Sequence, residues 1–227
     1  MKKILFLLPM VVLLAGCSGD DEGTNTTSIS NASLTETSEV RNEEGDGRSL
    51  VAYFSLPVGN DTDANSGASL LIQDSGEGIG LTEQVAQWIS EEQKADIFRI
   101  QTEEGFPDNV EDVISEADED QAESYRPKLA STINNLDQYD VIYLGYPNWW
   151  GDLPMAMYSF LEETDLSGKT IIPFNTHGGS GLSNTINTIE ELQPEATVET
   201  NALSISRGRV ANSQAEVAEW LAEVAPE

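Results

Sequence analysis

Apolar and polar residues follow one another along this chain in blocks whose periods predict strands and helices in turn. A continuous apolar run over residues 49–55 is typical of a strand buried on both faces, and similar runs occur at 141–146 and 170–174. Residues 95–100 alternate, which favours a strand nearer the edge of a sheet, and a weaker fifth strand is predicted within 198–205. The pattern therefore predicts five strands.

Between these strands the apolar residues recur at helical spacing. The predicted helices cover 82–92, 110–124, a segment opened by Pro154, 182–192 and 213–224. Thr82 is predicted to be the N-cap of the first helix. Because strand and helix alternate, we expect a parallel α/β sheet with helices on both faces. Ligands of such sheets bind beyond the carboxyl ends of the strands, so the loops after strands one, three and four are the candidates.

The N-terminus has the pattern of an export signal. Lys2 and Lys3 precede an apolar run over 4–14, which is shorter than the roughly 20 residues that a membrane span needs. The sequence LAGC, ending at Cys17, looks like a bacterial lipobox. We therefore expect residues 1–16 to be a signal peptide and Cys17 to carry a lipid that anchors the chain to the extracytoplasmic face of the cell membrane. An ordinary secretory signal with a chance cysteine is the alternative.

Composition divides the rest of the chain in two. Residues 17–48 are polar, acidic and poor in apolar side chains, which predicts a disordered tether, and 49–227 are predicted to form one domain. Without residues 1–16 the chain has 9 basic and 40 acidic residues, a net charge of −31. This charge argues against nucleic acid as a partner. Cys17 is the only cysteine, so a disulfide within the chain and a thiolate metal cluster are excluded.

The loop after the first strand contains candidate phosphate ligands. Ser55 ends the strand, while Gly80 and Thr82 introduce the next helix, whose free N–H groups and dipole favour an anion. Residues 58–62 form a competing cradle of the same chemistry, and the sequence does not choose between them. Residues 56–79 form a long insertion, which we interpret as a flap.

The loop after the third strand carries two adjacent tryptophans. Pro147, Asn148, Trp149, Trp150 and Gly151 lie where a ligand would meet the edge of the sheet. Packing of the indoles on the following helix, or a protein contact, is one reading. Stacking of a planar ring on Trp contributes about 1–3 kcal/mol, and we interpret the loop as the site of a planar cofactor.

The loop after the fourth strand is rich in glycine. Thr176 and His177 are followed by Gly178 and Gly179, and such glycines leave backbone N–H groups free to approach a ligand. His177 is the only histidine, so it serves either proton chemistry or loop hydrogen bonding, and no zinc site is predicted because no second histidine and no thiol accompany it. Ser180 lacks the context of a hydrolase nucleophile.

Taken together, the strand ending Tyr53-Phe54-Ser55 and the sequences GYPNWWGDLPM and NTHGGSG resemble the flavodoxin-like family over residues 49–225. The resemblance is greatest to bacterial flavodoxin family proteins, some of which have lipoprotein signals. It implies a doubly wound, five-stranded parallel sheet of order 2-1-3-4-5 that binds FMN. Flavodoxins usually carry an unbroken Thr/Ser-x-Thr-Gly-x-Thr phosphate loop, whereas here only Ser55 and Thr82 match its two ends.

The resemblance also implies roles for the other two loops. Trp150 or Trp149 would stack on the flavin, in the loop that Pro147 and Asn148 begin, and a carbonyl near Gly151 would accept a hydrogen bond from the reduced ring. Contacts to the ribityl chain or the ring edge would come from Thr176, His177, Gly178 and Gly179. No catalytic residue and no metal ligand are predicted.

The function that this resemblance implies is electron transfer, with FMN as cofactor and redox proteins as partners. One alternative is an FMN-dependent NAD(P)H:acceptor oxidoreductase of the quinone type, with residues 56–79 forming part of its substrate site. The other is a flavin-free scaffold that binds a partner through its Trp loop.

Overall fold

A computed structural model describes residues 49–57, 70–72, 78–107 and 109–225, with the backbone alone for 70–72. Several sequence predictions lie outside the described residues: the signal peptide 1–16, the lipidated Cys17, the tether 17–48, most of the insertion and the competing cradle 58–62. In the described residues, no helix is long and apolar enough to cross a membrane.

The core is a parallel sheet whose strands are β1 (Ser49–Tyr53), β4 (Asp96–Arg99), β5 (Val141–Pro147), β6 (Thr170–His177), β7 (Thr197–Val198) and β8 (Leu203–Ser206); β2 (Leu70–Ile72) and β3 (Gly78–Gly80) form a separate pair. The strands of the parallel sheet run in the order β4-β1-β5-β6-β7, with β8 also paired to β6. All of the pairings in this sheet are parallel. The strand order corresponds to 2-1-3-4-5, which confirms the predicted order.

Helices cover both faces of this sheet. They are α1 (Leu81–Gln93), α2 (Val110–Glu123), α3 (Met155–Glu163), α4 (Thr185–Leu192) and α5 (Gln214–Val224), with short 3-10 helices at Leu136–Gln138 and Val210–Asn212. Alternate residues of β1 face opposite cores: Leu50 and Ala52 pack with residues of α2, α3 and α4, whereas Val51 and Tyr53 pack with α1 and α5. The period-two geometry of a strand buried on both sides explains its unbroken apolar sequence.

Three details differ from the predictions. The insertion contains a small antiparallel pair, β2 (Leu70–Ile72) with β3 (Gly78–Gly80). The fifth strand consists of two pieces, β7 and β8, both of which pair with β6. Strand β6 was predicted to end at Phe174, but it continues to His177 because β5 pairs with it as far as Thr176 and β8 as far as His177.

The predicted N-cap of the first helix is also wrong. Gly80 occupies the N-cap position and provides no side-chain hydrogen bond, while Thr82 is the second residue of α1. The Thr82 side chain is instead buried against β6. The start of α1 therefore has no side-chain cap of its own.

Candidate functional site

A cleft of about 410 Å³ opens at the carboxyl ends of β5, β6 and β8. Two segments form its principal walls: the Trp turn, which we define as residues 149–152, and the Gly loop, defined as residues 178–181. The residues that line the cleft are Asn148, Trp150, Gly151, Gly178, Gly179, Ser180 and Arg207. The cleft thus lies where the sheet topology places ligands.

The Trp turn is a tight hairpin with an unusual backbone. Trp149 and Asp152 exchange two backbone hydrogen bonds of 3.0 Å each. The two central residues both have positive φ, 50° for Trp150 and 84° for Gly151, as a type I′ turn requires. A left-handed conformation costs an L-residue about 1–2 kcal/mol, and it is rare for a bulky one. Trp150 is nevertheless 44% exposed at the rim of the cleft.

Trp149 has the opposite environment. It is only 3% exposed, and its ring meets those of Phe54 and Phe106 edge to face, at centroid distances of 5.6 and 6.0 Å. The sequence left open which indole would stack on a planar ligand. Of the two rings, only that of Trp150 presents substantial surface to the solvent.

Asn148 connects the two walls of the cleft. Its buried side chain accepts a hydrogen bond of 3.0 Å from the Gly151 N–H and donates one of 2.8 Å to the Gly181 carbonyl. Pro147, its neighbour, is buried as the last residue of β5. The position of the Trp turn is thus tied to that of the Gly loop.

The Gly loop begins beside His177. The Gly179 N–H donates a 3.0 Å hydrogen bond to Nδ1 of His177, which requires this nitrogen to be unprotonated. Partial burial and the positive charge of Arg209 lower the pKa of His177, so the fold favours the neutral ring. Gly179 and Gly181 have φ values of 143° and 64°, which glycine adopts readily.

The carboxyl end of β1 meets the start of α1. Ser55 is 3% exposed, and a Cβ atom added to Gly80 would lie 2.0 Å from its Oγ, so a larger residue at this position would displace the Ser55 hydroxyl. Thr82 and Thr176 are both buried and share a hydrogen bond of 2.8 Å between their hydroxyls. The structure therefore brings Ser55 next to the N-terminus of α1, but it directs the Thr82 hydroxyl towards β6.

Three buried donors have no hydrogen-bond partner among the described residues: Ser55 Oγ, Trp149 Nε1 and Arg99 Nε. Other nitrogens of Arg99 do have partners, since Nη2 donates to the Ser55 carbonyl at 3.0 Å and Nη1 lies 3.8 Å from Glu83. Buried polar groups are normally satisfied, and each exception needs an explanation such as a ligand.

Negative charge dominates the helix beside the Trp turn. Asp120 of α2 borders a small depression together with Trp149 and Trp150. Partial burial, followed by the charges of neighbouring carboxylates such as Glu119, raises the pKa of Asp120. This rim of the site would attract cations and basic proteins.

Two of the loops predicted from the sequence wall the cleft, and their role as ligand loops stays a prediction. The sequence did not predict that Ser180 and Arg207 also line it. Arg207 follows β8, and its backbone N–H donates to the His177 carbonyl at 2.8 Å. Because β8 pairs with the end of β6, the loop after the fifth strand reaches the same edge. Thr176 lies inside β6 and is completely buried, so it does not belong to the loop in which it was predicted.

Comparison with known proteins supports this description of the fold. The family model described as Flavodoxin matches residues 71–224, and a model for the prokaryotic membrane lipoprotein lipid attachment site matches residues 1–18. A search of curated proteins found no match.

Solved structures of flavoproteins also have folds similar to that of this chain. A structure described as a flavoprotein, from Bacteroides uniformis, is 26% identical with a TM-score of 0.58, and the match covers 78% of this chain and 98% of that one. A second, from Bacteroides eggerthii, is 22% identical with a TM-score of 0.56, covering 79% and 99%. A Lactobacillus acidophilus flavoprotein in complex with FMN is 17% identical with a TM-score of 0.51, covering 77% and 98%. Because the family model spans most of the chain and the strand order agrees, the chain belongs to the flavodoxin family.

Proposed function

We propose that this chain is a lipid-anchored, FMN-binding electron-transfer protein that works on the extracytoplasmic face of the bacterial membrane. Membership of the flavodoxin family supports FMN binding and electron transfer, and the lipid attachment site supports the membrane anchor. FMN is also the ligand of the similar flavoprotein from Lactobacillus acidophilus.

The observation that carries the proposal is Trp150. A bulky side chain in a left-handed turn costs free energy, and this one remains 44% exposed beside a cleft of about 410 Å³. That volume lies within the range of about 300–1,000 Å³ that small-molecule sites have. Strain of this kind is retained at functional sites. A planar ring stacked on Trp150 would account for both the exposure and the strain.

The carboxyl end of β1 and the start of α1 have groups that would suit the phosphate of FMN. Among the residues that the structure describes, Ser55 Oγ is a buried donor without a partner, and it lies next to the N-terminus of α1, which has no side-chain cap. A helix N-terminus with free N–H groups favours an anion. Trp149 Nε1, within the Trp turn, is another buried donor that has no partner among the described residues. We propose that Ser55 and the first N–H groups of α1 hold the phosphate.

Each part of the chain has a role in this proposal. FMN, when bound, supplies reversible one- and two-electron redox chemistry. Trp150 would cover one face of the ring and exclude water, while the Gly loop would offer backbone N–H groups to the ring edge. His177, held neutral, would fix the conformation of that loop rather than transfer a proton.

The surface charge indicates the kind of partner. Helix α2 has seven acidic residues and no basic residue among its 14, and it lies beside the Trp turn. Electrostatic complementarity mainly increases the rate of association. We propose that the redox partners approach this edge with basic surfaces.

The test is the visible spectrum and flavin affinity of the full-length chain, purified in detergent. We expect a yellow protein that releases FMN on denaturation and that binds FMN more tightly than riboflavin. Ser55→Ala should weaken FMN binding by about 10–100-fold, since a hydrogen bond to a charged group contributes about 1.5–3 kcal/mol, while riboflavin binding stays unchanged.

Ser159→Ala is the matched control, because Ser159 is equally buried but lies in α3. A folded, colourless protein that ignores saturating FMN would refute the proposed function. Equal affinity for FMN and riboflavin would refute the assigned phosphate site alone.

A further inference from the structure

Asn148 is the buried side chain that touches both walls of the cleft. It is 3% exposed. Its Oδ1 accepts from the Gly151 N–H at 3.0 Å, and its Nδ2 donates to the carbonyls of Gly181 at 2.8 Å and Leu182 at 3.4 Å. Its backbone is fixed as well, because its N–H donates to the Thr176 carbonyl at 2.8 Å. The two ends of one amide thus act on two loops about 30 residues apart along the chain.

The bond to Gly151 restrains the strained part of the Trp turn. Gly151 N belongs to the central peptide of the turn, which joins the two residues with positive φ. Rotation of this peptide would change ψ of Trp150 and φ of Gly151, and it would therefore alter the geometry of the turn that carries the indole. A hydrogen bond to the Gly151 N–H opposes that rotation and offsets part of the cost of the left-handed Trp150.

From these contacts we propose that Asn148 is a positioning residue that holds the Trp150 indole and the Gly loop in register across the cleft. The inference extends the proposed function, since it assigns a role in ring binding to a side chain that need not touch the ring. Preorganisation of this kind increases affinity because less ordering remains to be done on binding.

Asn175 provides a matched control. It is also a buried asparagine, 1% exposed, and its Nδ2 also donates to the Gly181 carbonyl, at 2.9 Å. Its Oδ1 accepts from Ser204 instead of from the Trp turn. Asn148→Ala removes the hydrogen bonds to both the Trp turn and the Gly loop, whereas Asn175→Ala removes one to the Gly loop and none to the Trp turn. Comparison of the two variants therefore shows which effects come from the position of Trp150.

The first measurement needs no flavin. Hydrogen exchange of the Gly151 amide, followed by NMR on the flavin-free full-length chain, should become about tenfold faster in Asn148→Ala, as expected for loss of one hydrogen bond. Asn148→Asp, which keeps an acceptor oxygen, and Asn175→Ala should both retain the wild-type rate. Should Asn148→Ala not fold, Asn148→Ser replaces it, because its shorter side chain cannot span the two loops.

The second measurement is a double-mutant cycle for FMN affinity. Asn148→Ala should weaken FMN binding about tenfold in the wild-type background and have little effect in Trp150→Ala, because it acts through that indole. The effect of Asn175→Ala should be the same in both backgrounds. Unchanged Gly151 exchange in Asn148→Ala, or additive effects of Asn148→Ala and Trp150→Ala, would overturn the inference. If FMN does not bind at all, the proposed function fails, while the exchange rates still decide the role of Asn148.

Discussion

Trp149 and Trp150 are the same residue type at adjacent positions, yet they belong to different regions of the molecule. Trp149 is 3% exposed and belongs to the apolar core, where it contacts Phe54 and Phe106 edge to face. Trp150 is 44% exposed and occupies a left-handed backbone conformation at the rim of the cleft. Their ring centroids are only 6.2 Å apart.

From this difference in environment we expect Trp149 to contribute to the stability of the fold and Trp150 to ligand binding. Burial of a large aromatic ring in a well-packed cluster stabilises the fold through the area removed from water. An exposed indole on a strained turn contributes little to that stability, and its strain is retained because the surrounding hydrogen bonds determine the turn. Substitutions at the two positions should therefore affect different properties.

The largest expected effect is on stability. Trp149→Ala should lower the free energy of unfolding by about 3–5 kcal/mol, because it leaves a cavity between Phe54 and Phe106. Trp150→Ala should change it by less than about 0.5 kcal/mol, as is usual at exposed positions. Urea denaturation of both variants would measure this, and equal losses would contradict the comparison.

The next effect concerns the ligand. Trp150→Ala should weaken FMN binding by about 1–3 kcal/mol, roughly 5–150-fold, because it removes the stacking surface. Fluorescence titration of the flavin-free protein would measure the affinity. Trp88→Ala is the control, since Trp88 lies on α1 and is partly buried away from the cleft. An unchanged affinity would remove Trp150 from the site.

A smaller effect tests the strain itself. Trp150→Gly should stabilise the flavin-free fold by up to about 1 kcal/mol, because glycine adopts positive φ without the steric cost that Trp bears. The same variant should bind FMN as weakly as Trp150→Ala. Thermal denaturation of the two variants side by side would measure the gain. A less stable Trp150→Gly would show that the turn is not strained at this residue.

The smallest effect concerns the other wall of the cleft. The fold lowers the pKa of His177 below its ordinary value near 6.5, so the unfolded chain takes up a proton at higher pH than the folded one does. The free energy of unfolding should thus decrease as the pH falls below about 6.5. The Gly179 amide should also become less protected from hydrogen exchange, relative to an unstructured amide at the same pH, as its bond to Nδ1 is lost.

The variant His177→Gln separates the contribution of His177 to the pH dependence of stability from the contribution of the acidic residues. The wild type should lose slightly more stability than the variant between pH 7.5 and pH 5, as measured by urea denaturation. Identical pH profiles would show that His177 does not restrain the Gly loop through its neutral ring.

The sequence by itself determined the order of the strands and helices, and it indicated which loops wall the cleft of the candidate site. Unbroken apolar runs such as 141–146 identify strands covered on both faces, and this run forms most of β5. The alternation of such strands with helices predicts a parallel sheet, which the structure contains. Runs of Gly and Trp after strands three and four identified the two segments that wall the cleft. These features can be predicted locally, because the spacing of apolar residues in a segment depends on which of its own faces is buried.

Only the tertiary structure decided which tryptophan is buried, because this depends on Phe54 and Phe106, which come from other parts of the chain. It also paired Thr82 with Thr176, which are 94 positions apart, and so gave Thr82 a different role from the predicted N-cap. The polar end of β6 remains a strand because β5 and β8 both supply hydrogen-bond partners. Contacts between distant segments follow from packing, and the sequence pattern of either segment alone does not contain them.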